Sequence, residues 1–249
     1  MTSTQSSWAD GPWELLETPG NTQDIKNHAA IHSANEMAHL HNCIIRGINC
    51  IYLQAPHVRA TEDVKDFLFF VKAWCSFVKH HHDVEEELVF PRLEDFTGKP
   101  GCMSANVAQH ATFEPGLHEL ADYSEKTSPS AFSATKVRSL IDGFADALRN
   151  HLKAEIPTLL ALQPYESEGI MKIFKECEAA GFNQPNDIAL PLILGLSDST
   201  FENGKYVFPA VPGFARYLVH YWYCRAHQGA WRFLPSDMWG IPRPLAFLN

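Results

Sequence analysis

The chain is short of basic residues: Lys and Arg total 20 against 29 Asp and Glu, a formal net charge of −9 with histidine neutral. No Lys/Arg-rich stripe exists to neutralise phosphates, which argues against a nucleic-acid partner, and the same deficit disfavours anionic membrane surfaces. Long apolar runs are missing too, so no bilayer-spanning segment is expected. The opening MTSTQSSWADGPWELLETPG has neither the basic start nor the apolar stretch of a secretory signal, and the expected location is cytoplasmic. Cysteine is sparse and scattered: Cys43, Cys50, Cys75, Cys102, Cys177 and Cys224 form no CxxC pair and no zinc-finger spacing. The first three fall inside helical patterns, where they read as small buried hydrophobes rather than a disulfide framework. No internal repeat or low-complexity tract stands out.

What is present is enough to build a core, with 249 residues, 45% of them hydrophobic and 12% aromatic. After a Ser/Thr/Gly/Pro-rich start, expected to be an irregular arm over residues 1–22, helical periodicity takes over. From about Thr22 to Leu53, Met37, His41, Ile44, Ile48 and Ile51 recur at three- and four-residue steps. A second helix is expected from Thr61, read as its N-cap, with the face Val64, Phe67, Val71, Trp74, Val78 and Leu88; Pro91 should kink it and Thr97 to Gly101 should end it. A third helix is expected within Ser104 to Lys126, bent beside Glu114 by Pro115. A fourth starts near Ser133 and shows Val137, Leu140, Ile141, Phe144, Leu148 and Leu152. Four long amphipathic helices with short connections predict an all-α, antiparallel four-helix bundle over residues 23–163.

Polar residues interrupt these apolar faces in a consistent way. His41 sits among Met37, Ile44 and Ile48; His110 and Glu114 lie four apart in register with Leu117; His151 and Glu155 follow Phe144 and Leu148. The densest run is HHHDVEEELVFP, from His80 to Pro91, in which His81/Glu85 and His82/Glu86 are both one-turn imidazole–carboxylate pairs. At about 100° per residue, Glu85 falls near the middle of the apolar arc and Glu86 at its edge. His81 and Glu85 are therefore the expected ligands, with His82 and Glu86 left to a supporting shell. A lone core histidine is usually only hydrogen-bonded. Here each of four helices brings a metal-competent group to its core face, and coordination offsets the cost of burying carboxylates.

The set His41, His81-x-x-x-Glu85 followed by Glu86-Glu87-Leu88-Val89-Phe90-Pro91, His110-x-x-x-Glu114 and His151-x-x-x-Glu155 resembles the hemerythrin family in its broad HHE cation-binding form. The resemblance implies two non-haem irons in an up-down-up-down four-helix bundle. It implies Glu85 and Glu155 as bridges, His41 and His81 on one iron, and His110, Glu114 and His151 on the other. The chain departs from the oxygen-carrying hemerythrins, which have a second histidine where Glu114 stands and an aspartate with one extra residue of spacing where Glu155 stands. A harder, anionic ligand favours the ferric state, so oxidation chemistry or iron sensing is expected over reversible oxygen carriage. Manganese is the other ion that an oxygen/imidazole donor set without thiolate suits.

Other histidines are weaker candidates. His28 and His32 lie two or more turns from His41, and His39, about 200° around the helix from His41, reads as a surface residue. His118 reads equally as surface or as a neighbour of Glu114, and His57, His220 and His227 have no assigned role. Residues 164–249 are expected to form a helical, aromatic-rich extension packed on the bundle, either covering an exposed side or walling a pocket over the metals. Three functions are thereby expected to compete. One is a di-iron protein activating O2 or peroxide and oxidising a small organic substrate; the second is an oxygen or iron store or sensor without turnover; the third is a structural protein with another metal or none.

Overall fold

The computed structural model describes residues 8–181 and 183–248, and among these residues it contains helices and no strand. The first seven residues of the expected arm lie outside the described residues. In chain order the helices are α1 (Pro19–Thr22), α2 (Ala29–Gln54), α3 (Thr61–Val84), α4 (Phe90–Thr97), α5 (Ser104–Lys126), α6 (Ala134–Asp142), α7 (Ala145–Leu160), α8 (Ser167–Gly181), α9 (Asn186–Leu196) and α10 (Gly213–Tyr221). The ring that positions the site is made by α3 on α5, α5 on α7, α7 on α2 and α2 on α3.

Helix α2 is buried almost all round, from Ala29 to Gln54. One side faces the other three members of the ring. Another carries Asn35, Asn42 and Asn49, seven residues and so about two turns apart, which hold the backbone of the irregular arm. Asn49 accepts from Trp13 N–H at 3.0 Å and donates to the Ala9 and Trp13 carbonyls. Asn42 exchanges two bonds with Leu16, and Asn35 accepts from Gly20 N–H at 2.7 Å. Ahead of α1 the arm thus satisfies the backbone groups of Ala9, Trp13 and Leu16 on amide side chains rather than in a helix. His28 caps α2, its Nδ1 accepting from Ala30 N–H while Nε2–H donates to the Tyr165 carbonyl.

Thr61 is the first residue of α3, and Ala60 holds the cap position without a side-chain bond. The run from α3 into α4 is not a simple kink. Glu85–Val89 form a π turn, in which Phe90 N–H reaches the Glu85 carbonyl five residues back. Pro91 has no N–H for the Glu87 carbonyl, so the regular ladder is interrupted at this place in any case. The extra residue shifts the phase, so Val89 is fully buried whereas Leu88 is only half-buried. Helix α4 ends at Gly98, whose positive φ of 63° suits glycine.

Helix α5 runs through Pro115 without interruption. Beside it, Gly116 is required by packing: a Cβ there would stand 2.7 Å from Phe144 Cβ. The expected fourth helix is broken in two at Gly143 and Phe144, because Phe144 leaves the helical conformation at φ −139° and tucks its ring against Gly116. In the last third, α8 and α9 pack on α2 and α3, and the turn Ala230–Phe233 packs on α3. There Arg232 bonds Asp63 and Asp66 in the first turns of α3, and Phe233 stacks on Phe70. No helix of the described residues is long and apolar enough to cross a membrane.

Candidate metal centre

Two groups of potential ligand atoms meet between the helices. The first is His41, His81, Glu85 and Glu155; the second is His82, Glu85, His110 and His151; within each group the atoms lie within 4.8 Å of one another. His41 comes from α2, His81 and His82 from the last turn of α3, Glu85 from the π turn, His110 from α5, and His151 and Glu155 from α7. Glu85 belongs to both. Its Oε1 is 3.0 Å from His81 Nε2 and its Oε2 is 3.6 Å from His110 Nε2, so one carboxylate spans the two groups.

The imidazoles are oriented from behind. His41 Nδ1–H donates to the Leu152 carbonyl at 2.8 Å, and His110 Nδ1–H to Glu86 Oε1 at 2.6 Å. His151 Nδ1–H, with the Gln109 amide oxygen assigned toward the ring, donates at 3.2 Å. Each of these bonds leaves an Nε2 lone pair turned inward, the arrangement by which proteins fix histidine for a metal. Inside, His41 Nε2 lies 3.2 Å from His81 Nε2 and 3.3 Å from Glu155 Oε2, and His110 Nε2 lies 3.1 Å from His151 Nε2.

The electrostatics match a cation site. Both carboxylate oxygens of Glu85 and of Glu155 are buried without a hydrogen-bond donor, as are both ring nitrogens of His82. Burial, then the adjacent Glu155, pushes the Glu85 carboxyl well above the usual range. Burial, then neighbouring imidazoles, drives His81 and His82 well below 6.5 and His151 down to about 2. These nitrogens stay unprotonated and the carboxylates lack counter-charge, which a metal cation supplies to both. The donors are nitrogen and oxygen without thiolate, a set suited to iron or manganese.

Of the residues singled out in the sequence, His41, His81, Glu85, His110, His151 and Glu155 are brought into these two groups. Glu155 stands in the first group alone. Glu114, half-buried, is in neither and instead joins Glu86 and His110 in an outer group. Glu86 bonds His110 Nδ1 from outside these two groups. His82 is 2% exposed and inside the second group, with ring centroids 4.6 Å from His110 and 5.2 Å from His151. Its phase on the apolar arc was as good as that of His81, and only packing could choose. Gln109 and the Leu152 carbonyl carried no sequence signal.

His39 is buried, not at the surface, because residues 201–208 cover that face of α2; its ring stacks on Tyr206 and Phe208. His118 and His220 are exposed. The extension divides its labour. Its tail covers α3, while α8, α9 and residues 206–212 close a cavity of about 440 Å³ against α2 and α3. His81 lines that cavity, as do Cys177 and Phe208. The aromatics of α10 lie elsewhere, with Phe214 73% exposed.

The chain matches the model of the hemerythrin HHE cation-binding domain over residues 32–162. It is 43% identical, over 97% of its own length and 93% of the relative's, to a protein of Cryptosporiopsis sp. (strain 8999) described as "Dimeric xanthone biosynthesis cluster protein R11". No solved structure gives a significant match.

Proposed function

Because the chain belongs to the hemerythrin HHE cation-binding family, we propose that it is a non-haem di-iron protein that activates O2 or peroxide and oxidises a small organic molecule. The observation that supports it most is the shared Glu85, with one oxygen toward each imidazole pair, beside a cavity that reaches His81. In this reading residues 23–163 form an up-down-up-down bundle holding the ions, and residues 164–249 shape the cavity. His41, His81 and Glu155 hold one ion, His110 and His151 the other, and Glu85 both. For the remaining place on the second ion the resemblance offers Glu114 and the packing offers His82; the buried, unpaired ring of His82 favours it.

Bound iron supplies the redox chemistry that activates O2 or peroxide. The residues of the chain do the remainder. The outward Nδ1–H bonds hold the rings of His41, His110 and His151 in one tautomer, and the apolar walls Phe77, Val84 and Phe174 keep water from the face on which His81 opens. The relative is named for a dimeric xanthone biosynthesis cluster, which agrees with an organic substrate here.

An oxygen or iron store or sensor without turnover is the second reading, which the family match supports equally; the cavity favours turnover. Elemental analysis, absorption spectra before and after reduction and oxygenation, and oxygen uptake with added organic molecules separate the two. The expected result is about two irons per chain, as a two-metal site requires, a near-ultraviolet charge-transfer band, and uptake that depends on the organic molecule. Oxygen that binds and leaves unchanged would transfer the case to the store or sensor.

A further inference from the structure

The cavity beside His81 has a chemical polarity of its own. Its volume of about 440 Å³ falls in the range of about 300–1,000 Å³ found for pockets that enclose small organic ligands. Most of its wall is apolar, including Met37, Leu40, Phe77, Ile193 and Phe208. Against this, α2 presents Ser33 and Glu36, less than one turn apart. The Ser33 hydroxyl is buried at 1% exposure and has no hydrogen-bond partner. Glu36 accepts from the Tyr206 hydroxyl on Oε1, and no hydrogen bond from the described residues reaches its Oε2. Tyr206 is held by stacking on His39, with centroids 5.1 Å apart and planes 21° from parallel.

A half-buried carboxylate with a free oxygen, beside an unsatisfied hydroxyl, accepts hydrogen bonds and repels anions. Lys175 and Glu178 are both exposed, so these two charges lie at the rim and Glu36 is the carboxylate set deeper in the wall. Flat apolar walls of Phe77, Phe174 and Phe208 suit stacking on a planar ring system. His81 belongs both to this wall and to the first ligand group, so a molecule filling the cavity abuts the metal centre.

We propose that the cavity binds an uncharged, hydroxylated aromatic molecule of about two or three fused rings, a phenolic hydroxyl donating to Glu36 and another edge facing His81. That the bound molecule is then oxidised rests on the di-iron reading above; the binding itself does not.

The test uses the full-length protein, metal-loaded and metal-depleted, with 2,6-dihydroxyanthraquinone, its dimethyl ether and an anthraquinone carboxylate as probes, followed by quenching of tryptophan fluorescence. The dihydroxy compound is expected to bind about tenfold more tightly than the other two. Glu36→Gln should erase about that tenfold preference, Ala189→Trp should fill the space and abolish binding of all three, and Phe214→Ser on the exposed face of α10 should change nothing. Melting temperature and metal content verify that each variant is folded. Equal affinity for the ether, or wild-type affinity in a folded Ala189→Trp protein, overturns the proposal. Binding as expected in a protein that never takes up iron sustains this inference and defeats the di-iron reading. Two bound irons without selective probe binding does the reverse.

Discussion

Nε2 of His110 faces Nε2 of His151 across 3.1 Å, while Nδ1 of each ring is turned outward, to Glu86 and to Gln109. With the protons donated outward, two lone pairs meet, a contact that a shared cation makes favourable. Gln109 would therefore act on an ion bound there through His151. Gln109→Leu is expected to leave the metal count at saturation unchanged and to weaken retention of that ion by about 10–100-fold in competition with a chelator.

His82 and Glu114 make opposite predictions for the proposed second ion. If the buried ring is the ligand, His82→Ala should lower the iron content from about two per chain to about one, and Glu114→Gln should leave it unchanged. Elemental analysis of the two purified variants decides. Loss of iron from the Glu114 variant alone would restore the assignment implied by family resemblance.

Glu85 should have a stability effect that changes sign with metal. In metal-depleted protein its carboxyl is buried without a donor and beside Glu155. Glu85→Gln should therefore stabilise the depleted protein by about 1–3 kcal/mol, and destabilise the loaded one because the shared ligand is lost. Thermal unfolding with and without a chelator measures both.

His39 predicts an acid limb of the stability curve. Burial first, then the nearby Arg46, pushes its pKa from 6.5 down to about 4. Between these values the unfolded chain takes up a proton that the folded chain does not, so stability falls as the pH drops below about 6.5 and levels off below about 4. The span is worth about 3 kcal/mol. His39→Phe, which keeps the stacking on Tyr206 and Phe208, should remove the His39 share of that fall in urea titrations between pH 4 and 7, leaving the share of the similarly depressed His81, His82 and His151.

Asn42 tests the clasp between α2 and the arm. Asn42→Ala leaves the buried N–H and carbonyl of Leu16 without partners, at a cost of about 1–3 kcal/mol. Limited proteolysis should then cut the arm near Leu16 sooner than in the wild type, with metal content preserved.

Much of the centre was legible because a helix repeats its faces at a known angle. The apolar phase of α3 separated Glu85 from Glu86, and the four-residue steps at His81/Glu85 and His151/Glu155 put metal-binding types on core faces. The same reasoning failed where the regular angle fails. The π turn altered the phase after Glu85, so Leu88 was expected inside and Val89 is. Phe144 broke a helix whose periodicity looked continuous, because Gly116 on another helix made room for its ring. His39 was misplaced because α2 has more than one buried side, and the segment that covers it is more than 160 residues away in the chain.

The sequence by itself determined that the chain is helical and that its core faces carry imidazoles and carboxylates, since both follow from local periodicity. Only the tertiary structure decided that His82 rather than Glu114 stands among the inner groups, that the three asparagines of α2 hold the arm, and that residues 206–212 close a cavity on His81. These depend on which surfaces meet, and contact between distant segments is set by complementary shape and by the need to satisfy buried polar atoms, which no local pattern encodes.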